Sequence, residues 1–377
     1  MKKIPWKTIL RLGIAAMLGA SLTILYLTVR DFLGFDLPSW PVSVISLFMA
    51  LFFAVGIHEL GHVLAGLWVR YHFFFVSVGP FKLEKTAAGL KLSVGLKSPN
   101  LFGGLTFMLP DENNGDRRKM AWFVGGGPVA SVSLFLLLAL IAFSIHALGS
   151  TTQLAHLFKY LSWLTAVVSL TLGFFALIPE SSGQIKSDGY HLLSIWKGSD
   201  GFLTSRMITR LMADSLQGIR PADLDDALML RLLELGEPFE SQIARLFLYG
   251  HHSDKGEMKV AEEYLNAAVE MAEQTQNPPL DPSIFLEKAF LEVLMHSNVE
   301  KAKYYFENGK RGYSEKSTFS RAQTAILFSQ GEIERARQAA QETRMQIRES
   351  MDRGGAIWEE SMLNRLLEKY AAVVDGG

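Results

Sequence analysis

The chain has 377 residues, contains no cysteine and carries a formal net charge of −1 at pH 7, with 49% hydrophobic residues. The lack of cysteine excludes disulfide bonds and thiolate-bound zinc, so any metal ion has to be held by histidine, aspartate or glutamate. Neither half has the clustered basic residues that nucleic-acid binding requires, and no nucleic-acid partner is expected.

The charge is unevenly distributed along the chain. Residues 1–178 contain 14 Lys/Arg and 7 Asp/Glu, whereas residues 179–377 contain 23 Lys/Arg and 31 Asp/Glu. An apolar, basic half followed by a polar, acidic half predicts a membrane domain and then a water-soluble domain. We assign residues 1–199 to the membrane domain and residues 200–377 to the water-soluble domain.

Four apolar stretches are long enough to cross a hydrocarbon core, which takes about 20 helical residues. They lie near residues 9–29, 40–69, 120–148 and 160–178. The first follows lysines, as in a signal peptide, but its apolar run is longer than is typical there, which favours a membrane anchor. The expected fold is a mostly α-helical membrane bundle of about four spans, in contact with the lipid bilayer.

The basic residues predict an orientation. The connection 70–119 carries eight Lys/Arg, whereas the connections 30–39 and 149–159 carry one each. Because Lys and Arg concentrate in cytoplasmic loops, we expect a multi-pass protein of the cell membrane whose N-terminus and C-terminal domain are cytoplasmic.

Part of the connection between the second and third stretches is not helical in pattern. Residues 73–81 and 90–94 are rich in β-forming side chains, with Gly and Pro between them. This predicts a small β-hairpin or sheet at the cytoplasmic interface. It is either a plain surface hairpin or an edge strand that pairs with an extended substrate, and the sequence leaves both open.

The second apolar stretch contains the run His58-Glu59-Leu60-Gly61-His62. On a helix, His58 and His62 share one face and can bind one zinc ion, and Glu59 is placed beside them as a general base. Ionisable residues within an apolar span are costly and mark a function by default. A buried hydrogen-bond network or a proton pathway would use the same residue types.

A zinc hydrolase usually has three protein ligands and one open position. Glu180 and Asp188 follow the fourth apolar stretch, on the side of the membrane where the histidines are expected. An Asp-Gly pair such as Asp188-Gly189 is also a common turn, so residue type alone leaves the third ligand open.

These residues resemble the motifs of the site-2 protease family of intramembrane zinc metalloproteases. The run from His58 to His62 in a membrane helix matches the first family motif, and Pro179 followed by Ser187-Asp188-Gly189 looks like the second, with a longer spacer. The resemblance covers roughly residues 40–195. It implies a Zn²⁺ cofactor, Asp188 as the third ligand and a membrane-spanning protein or peptide as substrate.

A third family element, Gly-Pro-x-x-Asn, has a counterpart that starts at Gly127-Pro128 and ends at Ser131. The resemblance implies that Gly127, Pro128 and Ser131 position the substrate. Ser131 and Ala176 stand where the family usually has Asn, and no PDZ-like insertion is evident. The glycines before Pro128 would also suit close helix packing without any other role.

Residues 200–377 are expected to form amphipathic helices with short turns. Ala289 and Ala322 are 33 residues apart, and Ala302 and Ala336 are 34 apart. This spacing looks like that of tetratricopeptide-type helix pairs, and a generic helical bundle is the alternative. Stacked helix pairs commonly bind proteins on their concave side, so a cytoplasmic protein partner is expected.

The sequence therefore predicts a zinc-dependent intramembrane endopeptidase with Glu59 as its catalytic residue. The main alternative is a catalytically inactive membrane scaffold or accessory protein that acts through its helical repeat domain. A zinc or proton transporter is a third hypothesis, which is opposed by four spans without an internal repeat.

Overall fold

The computed structural model describes residues 23–24, 26–34, 39–86, 89–95, 103–110, 116–149, 151–182, 185–274, 283–310 and 316–371. Within these ranges the protein is mostly α-helical, as predicted, with a four-stranded and a two-stranded antiparallel sheet.

Three helices are long and apolar enough to cross a membrane: α1 (Trp40–Trp68), α2 (Arg117–Ala147) and α3 (Gln153–Leu177). Asp116 and Thr152 begin α2 and α3 by accepting hydrogen bonds from backbone N–H groups of the first turn. The chain is thus a membrane protein. The predicted first span, 9–29, lies outside the described residues except for 23–24 and 26–29.

The helical residues 26–33 pack against α2 and α3. Leu33 is fully buried in a cluster with Trp163 and alanines of both helices. The buried ammonium group of Lys159 donates a hydrogen bond of 2.9 Å to the carbonyl oxygen of Leu33, at the end of this segment. Lys159 therefore provides a hydrogen-bond donor for a carbonyl group at the C-terminus of the helical segment 26–33, where the helix dipole favours a cation.

The sheet has the strand order β3-β2-β1-β4, with β1 (Tyr71–Val78), β2 (Phe81–Thr86), β3 (Gly89–Val94) and β4 (Gly104–Pro110). All neighbouring strands are antiparallel, and Val78 faces Phe81 across the first turn. Strand β1 runs back along α1, so that Phe81 at the start of β2 meets Phe52 of α1, with ring centroids 5.6 Å apart. Phe52 precedes the end of α1 by about 24 Å, at 1.5 Å per helical residue.

The rest of the described chain is helical apart from the two-residue strands β5 (Ser181–Ser182) and β6 (Ile185–Lys186) and a 3₁₀ turn at Pro221–Asp223. The helices are α4 (Asp188–Lys197), α5 (Asp200–Leu216), α6 (Asp226–Leu235), α7 (Pro238–Asp254), α8 (Met258–Gln274), α9 (Ser283–His296), α10 (Val299–Gly309), α11 (Lys316–Ser329), α12 (Ile333–Glu349) and α13 (Arg353–Lys369).

The alanines that show the 33- and 34-residue spacing are buried together. Ala289, Ala302, Ala322 and Ala336 are fully inaccessible members of one core cluster. Small side chains let the helix backbones approach closely where they cross. The same core contains Arg321, which lies 4.8 Å from the ring centroids of both Phe290 and Trp358 and forms an ion pair with Glu287.

The helical region is joined to α2 by an apolar cluster. Phe202 of α5 packs with Ile195 of α4 and Val124 of α2, and all three are buried. The guanidinium group of Arg117 lies 5.1 Å from the centre of the Phe202 ring. Helix α5 is therefore held against the first turns of α2.

Candidate metal centre

His58 and His62 are buried neighbours on one face of α1, with ring centroids 5.0 Å apart. Their Nε2 atoms lie 3.1 Å and 3.4 Å from Oδ2 of Asp188, which stands at the start of α4. In the part of the chain that the structure describes, these three side chains form a group whose ligand atoms all lie within 4.8 Å of one another. Glu180, the other candidate for a third ligand, is not in this group.

The far nitrogens of both imidazoles are held by α2. His62 Nδ1 donates a hydrogen bond of 2.9 Å to the carbonyl oxygen of Phe123. His58 Nδ1 lies 2.9 Å from the hydroxyl oxygen of Ser131. Because a carbonyl can only accept, His62 carries a proton on Nδ1, and its Nε2 atom is turned toward Asp188. Metal-binding histidines are typically oriented in this way by a partner on the other nitrogen.

The donor geometry fits a tetrahedral metal ion. With bonds of about 2.0–2.1 Å, such an ion separates its ligand atoms by about 3.3 Å. The two separations from Asp188 Oδ2 to the histidine Nε2 atoms, 3.1 Å and 3.4 Å, bracket that value. The residues present therefore fit an ion held by three protein ligands.

Because Gly127 has no side chain, the space next to the histidine donor atoms stays open. A methyl group on its α-carbon would lie 2.7 Å from His58 Nε2 and closer still to His62 Nε2. The backbone of α2 consequently forms one wall of the metal position, and only glycine keeps that position open.

The neighbouring glycine has a packing role. A methyl group on Gly126 would overlap the carbonyl oxygen of Gly61, and one on Gly61 would overlap that of Gly126. Helices α1 and α2 therefore cross in direct backbone contact, as small residues permit in membrane helices. A methyl group on Gly125 would meet no atom within 4 Å. Packing thus accounts for Gly126, and the approach to the histidines accounts for Gly127.

Glu59 is buried between α1 and strand β4. The hydroxyl group of Thr106 lies 2.6 Å from the Glu59 carboxylate and 3.2 Å from its backbone carbonyl. Gly104 lies so close to the same carboxylate that a methyl group on it would overlap Glu59. The strand therefore fixes Glu59, which follows the first histidine in sequence and is not part of the donor group.

Asp188 is positioned by the turn that leaves α3. Ser187 caps α4 by accepting from the Tyr190 N–H, and its hydroxyl donates to the Ile178 carbonyl at 2.6 Å. Gly189 lies within α4, where a methyl group would overlap the Leu177 carbonyl. The Asp-Gly pair is thus the tight start of a helix packed on the end of α3, and the interpretation as a simple turn is wrong.

Two ionisable groups of α4 have shifted pKa values. Burial on its own raises the pKa of the Asp188 carboxyl, but hydrogen bonds with His58 and His62 outweigh it and bring that pKa to about 2. The carboxyl group is ionised at neutral pH and available as an anionic ligand. Burial lowers the pKa of His191, one turn further along α4, so its imidazole is neutral at pH 7.

The three residues expected to position a substrate, Gly127, Pro128 and Ser131, are all buried within α2. Ser131 is fully inaccessible and faces His58, and its carbonyl oxygen accepts a hydrogen bond of 2.9 Å from Ser169 of α3. In this structure Ser131 orients a candidate ligand. Thr106 and Gly104 belong to the site as well, although no sequence motif marks them.

Comparison with protein-family models, with curated proteins and with solved structures finds no match for the chain.

Proposed function

We propose that this protein is a zinc-dependent intramembrane endopeptidase that hydrolyses a peptide bond of a membrane-spanning protein or peptide. One observation carries the proposal. The ligand atoms of His58, His62 and Asp188 lie within 4.8 Å of one another, and both histidines, with Glu59 next to His58 in the sequence, are on a helix apolar enough to cross a membrane. Ionisable side chains in an apolar segment cost free energy, and their presence there therefore indicates a function.

The donor set favours zinc over other common ions. Two imidazole nitrogens and one carboxylate oxygen with a free fourth position are typical of catalytic zinc, whereas Mg²⁺ and Ca²⁺ prefer oxygen ligands throughout. His58, His62 and Asp188 would hold the ion. When bound, it would supply Lewis-acid chemistry, polarising the scissile carbonyl and lowering the pKa of water.

Glu59 is the proposed general base. Its carboxylate would accept a proton from the attacking water and deliver it to the nitrogen of the leaving amine. The hydrogen bond from Thr106 and the close approach of Gly104 restrict this carboxylate to one position. Fixed orientation of a base removes part of the entropic cost of the reaction.

The motif resemblance to site-2 proteases supports the same assignment and also marks a difference. The family Asn is replaced by Ser131, whose hydroxyl contacts His58 and is closed off from any substrate. We infer that substrate positioning in this chain depends on other surfaces. Strand β4, which carries the Glu59 contacts and is the last strand of the sheet among the described residues, is suited to pair with an extended chain.

We further propose that the metal centre lies toward the cytoplasmic side of a cell membrane. Arg117, Arg118 and Lys119 begin α2, and Asp188 lies near that same end of the bundle. By the positive-inside rule this end is cytoplasmic, and so are the N-terminus and the helical region after α4.

A second candidate function is that of a scaffold whose helical region binds a protein. It is favoured by a groove of about 430 Å³ between α8, α9 and α10. Charged and amide side chains line the groove, among them Glu262, Lys288, Glu292 and Lys301. Stacked, tetratricopeptide-like helix pairs would present such a surface to a cytoplasmic protein. This function is compatible with proteolysis.

Metal removal tests the proposal directly. The full-length protein, purified in detergent, is expected to hold about one zinc per chain and to cleave at least one of a panel of membrane-spanning peptides. A chelator should abolish cleavage, and Zn²⁺ but not Mg²⁺ should restore it. Zinc-loaded protein that cleaves none of the panel, or cleavage that survives complete metal removal, would contradict the proposal.

A further inference from the structure

Lys186, two residues before Asp188, connects the metal centre to the distant helix α7. Its ammonium group forms ion pairs with Glu240, 54 residues further along the chain, and with Glu237 at 3.3 Å. Both acidic residues lie in or next to the first turn of α7. The segment that carries the third candidate ligand is therefore tied to a helix of the C-terminal region.

The ion pair between Lys186 and Glu240 is buried. The side chains of Lys186 and Glu240 are 6% and 5% exposed, whereas Glu237 is 54% exposed. The ammonium group also lies 4.9 Å from the centre of the Tyr190 ring. Removing one partner of a buried pair leaves the other charge uncompensated, which costs far more than the loss of a surface pair.

The ion pair of Lys186 affects Asp188 because the two residues belong to one short segment that is held at both sides. Ser187 links the segment to the end of α3 through its hydrogen bond to the Ile178 carbonyl. On the other side, Lys186 is held by α7. The backbone at Asp188 is thus fixed between a membrane helix and the C-terminal region, and its Oδ2 is aimed at both histidines.

We propose that Glu240 is a positioning residue for the metal centre: by holding Lys186 it fixes Asp188, so the C-terminal helical region supports the third ligand. This inference rests on the proposed metal site. It follows that anything that displaces α7, such as a partner bound to the helical region, weakens metal binding in the membrane domain. The region is then a regulator of the site as well as a recognition surface.

The test measures zinc affinity of the full-length protein in detergent, by competition with a chromophoric chelator. Glu240→Gln and Lys186→Met are each expected to weaken zinc binding about tenfold, the lower end for residues that support a ligand. The matched control Glu237→Gln should stay within about twofold, because its ion pair is exposed. The exchanged pair Lys186→Glu with Glu240→Lys should recover part of the loss.

A second readout does not depend on metal. Hydrogen exchange of the amides of residues 185–197 in metal-free protein should be faster in Glu240→Gln than in wild type, while exchange in α2 stays unchanged. Wild-type zinc affinity and wild-type exchange in Glu240→Gln would overturn the inference. If instead wild-type protein binds no zinc, or Asp188→Asn binds it normally, the proposed metal site itself is wrong.

Discussion

Gly127 lies directly against the Nε2 atom of His62, so that a methyl group on its α-carbon would occupy the space between the candidate ligands. Gly127→Ala is therefore expected to abolish zinc binding while leaving the helices inserted. Metal analysis of the purified variant checks this.

The matched control for this substitution is two residues away on the same helix. A methyl group on Gly125 meets open space, so Gly125→Ala should bind zinc as the wild type does. Equal zinc content in Gly127→Ala and Gly125→Ala would show that the ion, if bound, does not sit between the histidines.

Ser131 is expected to act on the metal through His58. Ser131→Ala removes the hydroxyl that lies 2.9 Å from Nδ1 and should lower zinc affinity about 10- to 100-fold, as loss of a ligand's outer partner does. Ser133→Ala is the control, because that hydroxyl is exposed and contacts only the Val129 carbonyl in the described structure. Affinity is read by chelator competition, and a Ser131→Ala protein with undiminished affinity would refute the assignment.

Thr106 should affect catalysis and leave metal binding intact. Thr106→Val keeps the shape of the side chain but removes the hydrogen bond of 2.6 Å to the Glu59 carboxylate. We expect kcat to fall by about tenfold, the order that about 1.4 kcal/mol of lost interaction gives, with zinc content unchanged. Ser93→Ala on the outer strand β3 serves as the control. Loss of zinc in Thr106→Val would instead indicate a structural role for this threonine.

Local sequence patterns were sufficient for much of this architecture. Apolar runs of sufficient length predict α1, α2 and α3, and ionisable residues inside one such run identify His58, Glu59 and His62. The apolar stretch predicted near 160–178 covers only part of α3, which begins at Gln153. Hydropathy does not register the polar first turns, which are set by the Thr152 cap.

Long-range contacts account for what the sequence did not reveal. Thr106 reaches Glu59 across 47 residues, and Ser131 reaches His58 across 73. Strand register determines the first contact and helix crossing the second, and neither contact produces a periodic pattern in the sequence. The sheet also lies alongside α1, where Phe81 meets Phe52, and β-propensity cannot indicate such a contact.

We propose that Glu59 is the general base of a zinc peptidase, and Glu59→Gln is the most direct test of that role. The glutamine keeps the size of the side chain but cannot accept the proton, and Glu59 lies outside the donor group. Cleavage of a membrane-spanning substrate and zinc content are measured on the same purified samples, with Glu84→Gln on the sheet as control. We expect full zinc occupancy in Glu59→Gln with hydrolysis reduced by about 10²–10⁴-fold or more. Hydrolysis at the wild-type rate by zinc-loaded Glu59→Gln would contradict the proposed role.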